Sequence, residues 1–226
     1  MVLLERVGLT LTSAAARVNV LTDIELAIET GDRVAVLGPS GAGKSSLLAL
    51  IAGLERPTSG RVTVAGHDLG ALDEDGLARF RRRHIGIVFQ SFHLIPTLTA
   101  RENVSLPLEL AGAADAEARA DAALAAVGLG RRVGHYPLEL SGGEQQRVAI
   151  ARAVVVEPRV LLADEPTGNL DGRTGEAIAD LLIGLAERRG ATLVLVTHNE
   201  TLARRCRRMV RLADGRVVAP VLSAAN

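Results

Sequence analysis

Short apolar runs alternate with amphipathic stretches along this chain, and glycine, proline or acidic residues break many of them. Residues 2–11 and 18–28 alternate apolar and polar positions, as half-buried antiparallel strands do. The small residues Ser13, Ala14, Ala15 and Ala16 form the expected turn between them, and Gly31-Asp32 turns the chain into its first core strand. Residues 33–37, 160–163 and 192–197 are continuous, β-branched and apolar, the pattern of parallel strands buried on both faces. Residues 46–53 predict a buried helix closed by Gly53. Pro57-Thr58-Ser59-Gly60 turns into a strand at 61–65, and Gly66-His67-Asp68 reads as a further turn. From about 91 to 140 the pattern becomes helical, with helices over 99–110 and 115–127, so a helical subdomain is inserted into the core. Residues 209–212 and 216–218, joined by Asp214-Gly215, predict a closing hairpin.

These elements predict one α/β domain over residues 1–226: an antiparallel amino-terminal β-region, a mixed core sheet and the inserted helices. The 226 residues are 48% hydrophobic, enough for a single sizeable core. The 26 basic and 26 acidic residues balance, which gives no general affinity for nucleic acid or anionic lipid. The basic run Arg79-Phe80-Arg81-Arg82-Arg83 reads as the solvated end of a helix, where cations suit the dipole. One cysteine, Cys206, precludes an intramolecular disulfide and is compatible with a reducing compartment. Glu5-Arg6 interrupts the amino-terminal apolar residues, so no signal peptide is expected. No apolar run approaches the roughly 20 residues that span a bilayer.

The chemistry begins where the first core strand ends. Gly38-Pro39-Ser40-Gly41-Ala42-Gly43-Lys44-Ser45 sits between a predicted strand and a predicted helix, the setting a phosphate-cradling loop requires. Its glycines let several backbone N–H groups aim at one point, and the helix amino end adds partial positive charge. Lys44 would reach the β- and γ-phosphates and the Ser45 hydroxyl would ligate Mg²⁺; Ser46 continues the helix beside them. Asp164-Glu165 ends the strand at 160–163, where open α/β sheets place their sites. Asp164 suits the hydration shell of Mg²⁺, and Glu165 could orient an attacking water. His198 ends the strand at 192–197 and is expected to face the same crevice; the other four histidines receive no chemistry.

Leu140-Ser141-Gly142-Gly143-Glu144-Gln145-Gln146-Arg147 carries a capping box: Ser141 accepts from the third helical N–H, and Glu144 reaches back. This segment resembles the signature of the ATP-binding-cassette (ABC) ATPases, and the resemblance covers essentially the whole chain. It implies that two copies sandwich two ATP molecules, with Ser141, Gly142, Gly143 and Glu144 of one copy facing the phosphate loop (Gly38 to Ser46) of the other. By the same resemblance Gln90 answers to Mg²⁺ and to a membrane partner, Asn169-Leu170-Asp171 crosses the dimer interface, Glu165 is the general base and His198 the switch histidine. The family stacks adenine on an aromatic residue near position 11. This chain has leucine there and no aromatic before Phe80, which leaves Leu11 and Val18 or Val20 for the base.

Phe89-Gln90-Ser91-Phe92, Leu94-Ile95-Pro96-Thr97-Leu98-Thr99, Glu102-Asn103-Val104 and Pro166-Thr167-Gly168-Asn169-Leu170-Asp171 resemble the lipoprotein-releasing and macrolide-exporting branch, and within it the YbbA-type ATPases. That implies a peripheral ATPase on the cytoplasmic face of the inner membrane. Its partner would be an integral permease with an extracytoplasmic domain, and its cargo hydrophobic or envelope-associated. The alternative reading is a regulatory ATPase bound to a division-type partner that transports nothing. Phe92, Leu94, Ile95 and Leu98 either face the partner or pack inside the helical subdomain. A soluble translation factor would carry two cassettes joined by a linker, and this sequence reads as one. A chromosome or repair ATPase is disfavoured because no coiled-coil or zinc insertion is visible.

Overall fold

The computed structural model describes residues 1–12 and 17–222, so the turn expected at residues 13–16 lies outside the described residues. The first sheet is antiparallel: β1 (Val2–Thr12) pairs with β2 (Arg17–Ile28), and it is extended by β4 (Ser59–Val64) and β5 (His67–Asp68). The Gly66-His67-Asp68 turn is thereby corrected. The reversal falls at Ala65-Gly66, and His67 and Asp68 continue as a short strand against Val64 and Thr63.

The second sheet is mixed and six-stranded. Strands β3 (Arg33–Leu37), β6 (Ile85–Val88), β7 (Val160–Asp164), β8 (Thr192–Thr197) and β9 (Arg208–Ala213) run parallel, and β10 (Arg216–Leu222) closes the edge antiparallel, in the order β10-β9-β3-β8-β7-β6. Its helices are α1 (Lys44–Ala52), α2 (Glu74–His84), α3 (Ala100–Glu109), α4 (Ala116–Ala126), α5 (Gly142–Val154), α6 (Gly172–Arg189) and the short α7 (Glu200–Ala203).

The continuous apolar runs follow from covering this sheet on both faces. Ala35, Leu37, Leu161, Ala163, Leu193 and Leu195 point to one face, where α3, α4, α5 and α6 supply Val104, Leu124, Ile150 and Ile178. The alternate residues Val34, Val36, Leu162, Val194 and Val196 meet α1 and the antiparallel sheet through Leu47, Ile51, Leu4 and Ile28. Leu47 and Ile51 are fully buried, so truncating either to alanine would cost about 2–5 kcal/mol.

Register aligns the carboxyl ends. Leu37 stands opposite Thr197, Asp164 opposite Val196, and Val88 opposite Ala163. The residues that follow these strands, at 38, 89–90, 165 and 198, therefore leave the sheet along one edge. Helix α2, before β6, runs one residue past the basic run at 79–83 and ends at His84. Its Phe80 is buried, and Arg81 donates to the Gly53 carbonyl at the end of α1. Arg81 therefore packs against α1, whereas Arg82 and Arg83 are exposed.

Candidate active site

Between β3 and α1 the chain folds into a tight loop. Gly41 and Gly43 sit at φ 81° and 95°, a region that side chains resist, and a Cβ at Gly38 would strike the Leu212 carbonyl. A Cβ at Gly43 would also lie 2.7 Å from Leu21 Cδ2, so the glycine lets the loop press against β2. Helix α1 begins at Lys44, two residues earlier than its apolar pattern suggests, and the loop faces the helix amino end. Lys44 Nζ donates to the carbonyls of Gly38 at 2.9 Å and Pro39 at 2.8 Å. Ala42 is buried beneath the loop, and its N–H donates to the Pro39 carbonyl.

The loop forms one wall of a cleft of about 790 Å³ lined by Val20, Ser40, Gly41, Gly43, Lys44, Ser45, Ser46, Gln90, Asp164, Glu165 and His198. The side chains expected to meet there do so, drawn from four strand ends. Glu165 sits at φ 45° just past β7, and its N–H donates to the Val196 carbonyl. Both of its carboxylate oxygens are engaged: Oε1 with His198 Nδ1 at 2.8 Å, Oε2 with the Thr197 hydroxyl at 3.2 Å. Gln90 is exposed, and its amide nitrogen donates to Asn169 Oδ1 at 3.1 Å while Asn169 returns a bond to the Gln90 carbonyl. Ser45, Gln90 and Asp164 give an all-oxygen donor set on one cleft, the chemistry a Mg²⁺ ion favours.

Val20 lines the cleft, whereas Leu11 and Val18 face each other across β1 and β2 about half exposed.

Ser141, Gly142, Gly143 and Glu144 do not line the cleft of their own chain. Their capping box is formed: Ser141 Oγ accepts from the Glu144 N–H, and Glu144 Oε2 accepts from the Ser141 N–H at 2.9 Å. That backbone bond, with help from the Ser141 side chain, Arg132 and Arg147, holds the Glu144 carboxyl below its ordinary pKa. Glu144 thus braces the helix end while Ser141 remains exposed. Gly142 lies beside Leu170 and Phe92, and Gly143 packs against Thr174, where a Cβ would collide with the methyl group.

Of the loop after Gln90, Leu94 packs against the helical core while Ile95 is exposed. Tyr136 and Leu138, just before the signature, are also exposed, Leu138 to 91%. Sequence reasoning missed three polar contacts: Thr197 on Glu165, Asn169 on Gln90, and the buried Gln146. A threonine at the carboxyl end of the strand Thr192–Thr197 was a usable signal for the first. A glutamine on the buried side of α5 was one for the last.

A profile of the ABC transporter family matches residues 21–168. The chain is 53% identical over 201 residues, covering 88% of each, to the uncharacterized ABC transporter ATP-binding protein YbbA of Escherichia coli (strain K12). It is 53% identical over 209 residues, 92% of this chain and 93% of the relative, to the lipoprotein-releasing system ATP-binding protein LolD of Geobacter metallireducens. To the macrolide export ATP-binding/permease protein MacB of Bradyrhizobium diazoefficiens it is 48% identical over 205 residues, 90% of this chain and 31% of that longer protein. These relatives bear out the branch that the motifs indicated. The fold matches the ATP-binding cassette MJ0796, solved as a dimer in a post-hydrolysis state bound to ADP and Pi, with TM-score 0.92, 42% identity and full coverage of both chains.

Proposed function

The chain belongs to the ABC transporter family, whose general activity is ATP hydrolysis, and from that premise we propose that it drives a membrane complex by closing and opening a dimer around ATP. The observation that carries this reading is the single cleft that joins a glycine loop, a helix amino end, a strand-end carboxylate pair and a histidine.

The phosphates sit on the loop N–H groups, and Lys44 exchanges its two carbonyl partners for β- and γ-phosphate oxygens. Ser45, Gln90 and Asp164 hold Mg²⁺, which when bound neutralises charge developing on those phosphates. Glu165 accepts a proton from the attacking water. An ionised carboxylate only accepts, so His198 donates to it from Nδ1, which orients the ring; the γ-phosphate is itself an acceptor, so a bond to it requires a second proton, on Nε2. In this reading Ser141, Gly142 and Gly143 come from the second copy, because the exposed serine and the helix amino end of α5 offer donors that their own cleft does not use. Loss of the γ-phosphate removes what both copies hold, so the nucleotide sets the distance between them.

The partner in this reading is an integral membrane permease with an extracytoplasmic domain, and the chain sits peripherally on the cytoplasmic face. Among the described residues no helix is long and apolar enough to cross a membrane. The relatives named for lipoprotein release and macrolide export favour a hydrophobic or envelope-associated cargo. Phosphate release by the purified chain tests the reading: turnover should require Mg²⁺, stop with excess chelator and return when the metal is restored. Turnover indifferent to chelation would overturn it.

A further inference from the structure

Helix α5 carries Ser141, Gly142 and Gly143 around its amino end, and farther along it grips the chain on both sides of Gln90. On the near side the buried Gln146 donates from Nε2 to the Pro166 carbonyl at 2.7 Å and to the Phe89 carbonyl at 3.4 Å. On the far side Arg152 donates from Nη1 to the His93 carbonyl at 2.6 Å and from Nη2 to the Phe92 carbonyl at 2.8 Å.

The second grip is unusual in its chemistry. Arg152 is half-buried, and burial pulls it below the ordinary arginine pKa with no carboxylate acting the other way. A partly desolvated guanidinium needs acceptors, and among the described residues these two carbonyls are the ones it has. The residues that supply them are themselves held in a rare conformation. Phe92 and His93 sit at φ 60° and 48°, left-handed values that are uncommon for residues with a Cβ and strained for phenylalanine more than for histidine. The His93 ring lies 4.6 Å from that of Phe89, so the turn folds back over the end of β6 with Gln90 inside it.

We propose that Arg152 is a positioning residue for hydrolysis: it pins the left-handed turn at Phe92-His93 and so fixes Gln90 relative both to the cleft and to the α5 end that carries Ser141. The inference rests on the reading of Gln90 and Ser141 given above. It makes the segment after Gln90 and the signature helix one mechanical unit, because drawing residues 92–93 away either strips Arg152 of its acceptors or carries α5 along. A partner that grips this segment would thereby move Ser141.

The test separates positioning from packing. Arg152→Lys keeps the charge but loses the planar fork that spans two carbonyls. It should lower kcat about tenfold while the affinity for a fluorescent ATP analogue changes less than about twofold. Glycine adopts φ 48° without strain, so adding His93→Gly to Arg152→Lys should return kcat to within about threefold of the parent. His93→Pro with Arg152 intact forbids the turn and should reproduce the loss, which keeps the test valid if the lysine variant does not fold. Parental turnover in Arg152→Lys or His93→Pro overturns the proposal. So does a parallel fall in kcat and affinity that His93→Gly fails to repair. The underlying reading fails differently: the parent chain itself would turn over without depending on Gln90 or Ser141.

Discussion

Glu165 Oε1 and His198 Nδ1 lie 2.8 Å apart, joining the end of β7 to the end of β8 across the cleft floor. With Thr197 on its other oxygen, the Glu165 carboxylate is held in place before any water arrives. Glu165→Gln keeps the shape and removes the carboxylate proposed as the base. Turnover should fall at least about a hundredfold while ATP remains bound, and the ATP-loaded variant should run as a dimer on gel filtration. Normal phosphate release from this variant would take the base assignment away from Glu165.

Lys44 bridges the carbonyls of Gly38 and Pro39, so its ammonium already stands at the mouth of the loop. Lys44→Ala leaves the backbone donors but under-compensates the phosphate charge. Binding of a fluorescent ATP analogue should be lost at concentrations that saturate the parent chain, and turnover with it. Parental turnover by the alanine variant would contradict the role.

Ser141 tests whether the site is shared between copies. Ser141→Arg removes a helix cap, worth about 1 kcal/mol, and places a bulky cation where a second copy would approach. Turnover should disappear while nucleotide affinity of the single chain stays nearly intact, measured by titration at low protein concentration. Equal loss of both would refute the assignment in trans.

The cleft was legible in the sequence because its parts are local. The loop from Gly38 to Ser45, the Asp164-Glu165 pair and the strand-ending His198 are each contiguous with a strand whose apolar run announces it. Strand register, which no single segment states, then brings them together. The misread pieces were those decided by distant neighbours. His67-Asp68 became a strand only because β4 offers an edge, and α1 started early because Lys44 is helical though its side chain belongs to the loop. The left-handed turn at Phe92-His93 had little local signal, since phenylalanine rarely adopts it and histidine only somewhat more often. The side chain that binds the Phe92 carbonyl, Arg152, lies sixty residues away.

Cys206 belongs to the fold rather than to the cleft. Its thiol is 2% exposed within the core packed by α5 and α6, and burial pushes its pKa from 9.0 up to about 11, with Arg33 pulling weakly the other way. The folded chain therefore keeps its proton where the unfolded chain releases it. The stabilisation is complete below the unfolded value of 9.0 and is lost as pH rises through about 11. Two measurements follow. At pH 8 iodoacetamide should label the native protein at least about a hundredfold more slowly than the urea-unfolded chain, since reaction needs an exposed thiolate. Between pH 9 and 11 the parent should also lose thermal stability more steeply than Cys206→Ala, which has no proton to release. Parallel slopes, or fast labelling of the native chain, would show that the thiol is neither buried nor coupled to folding.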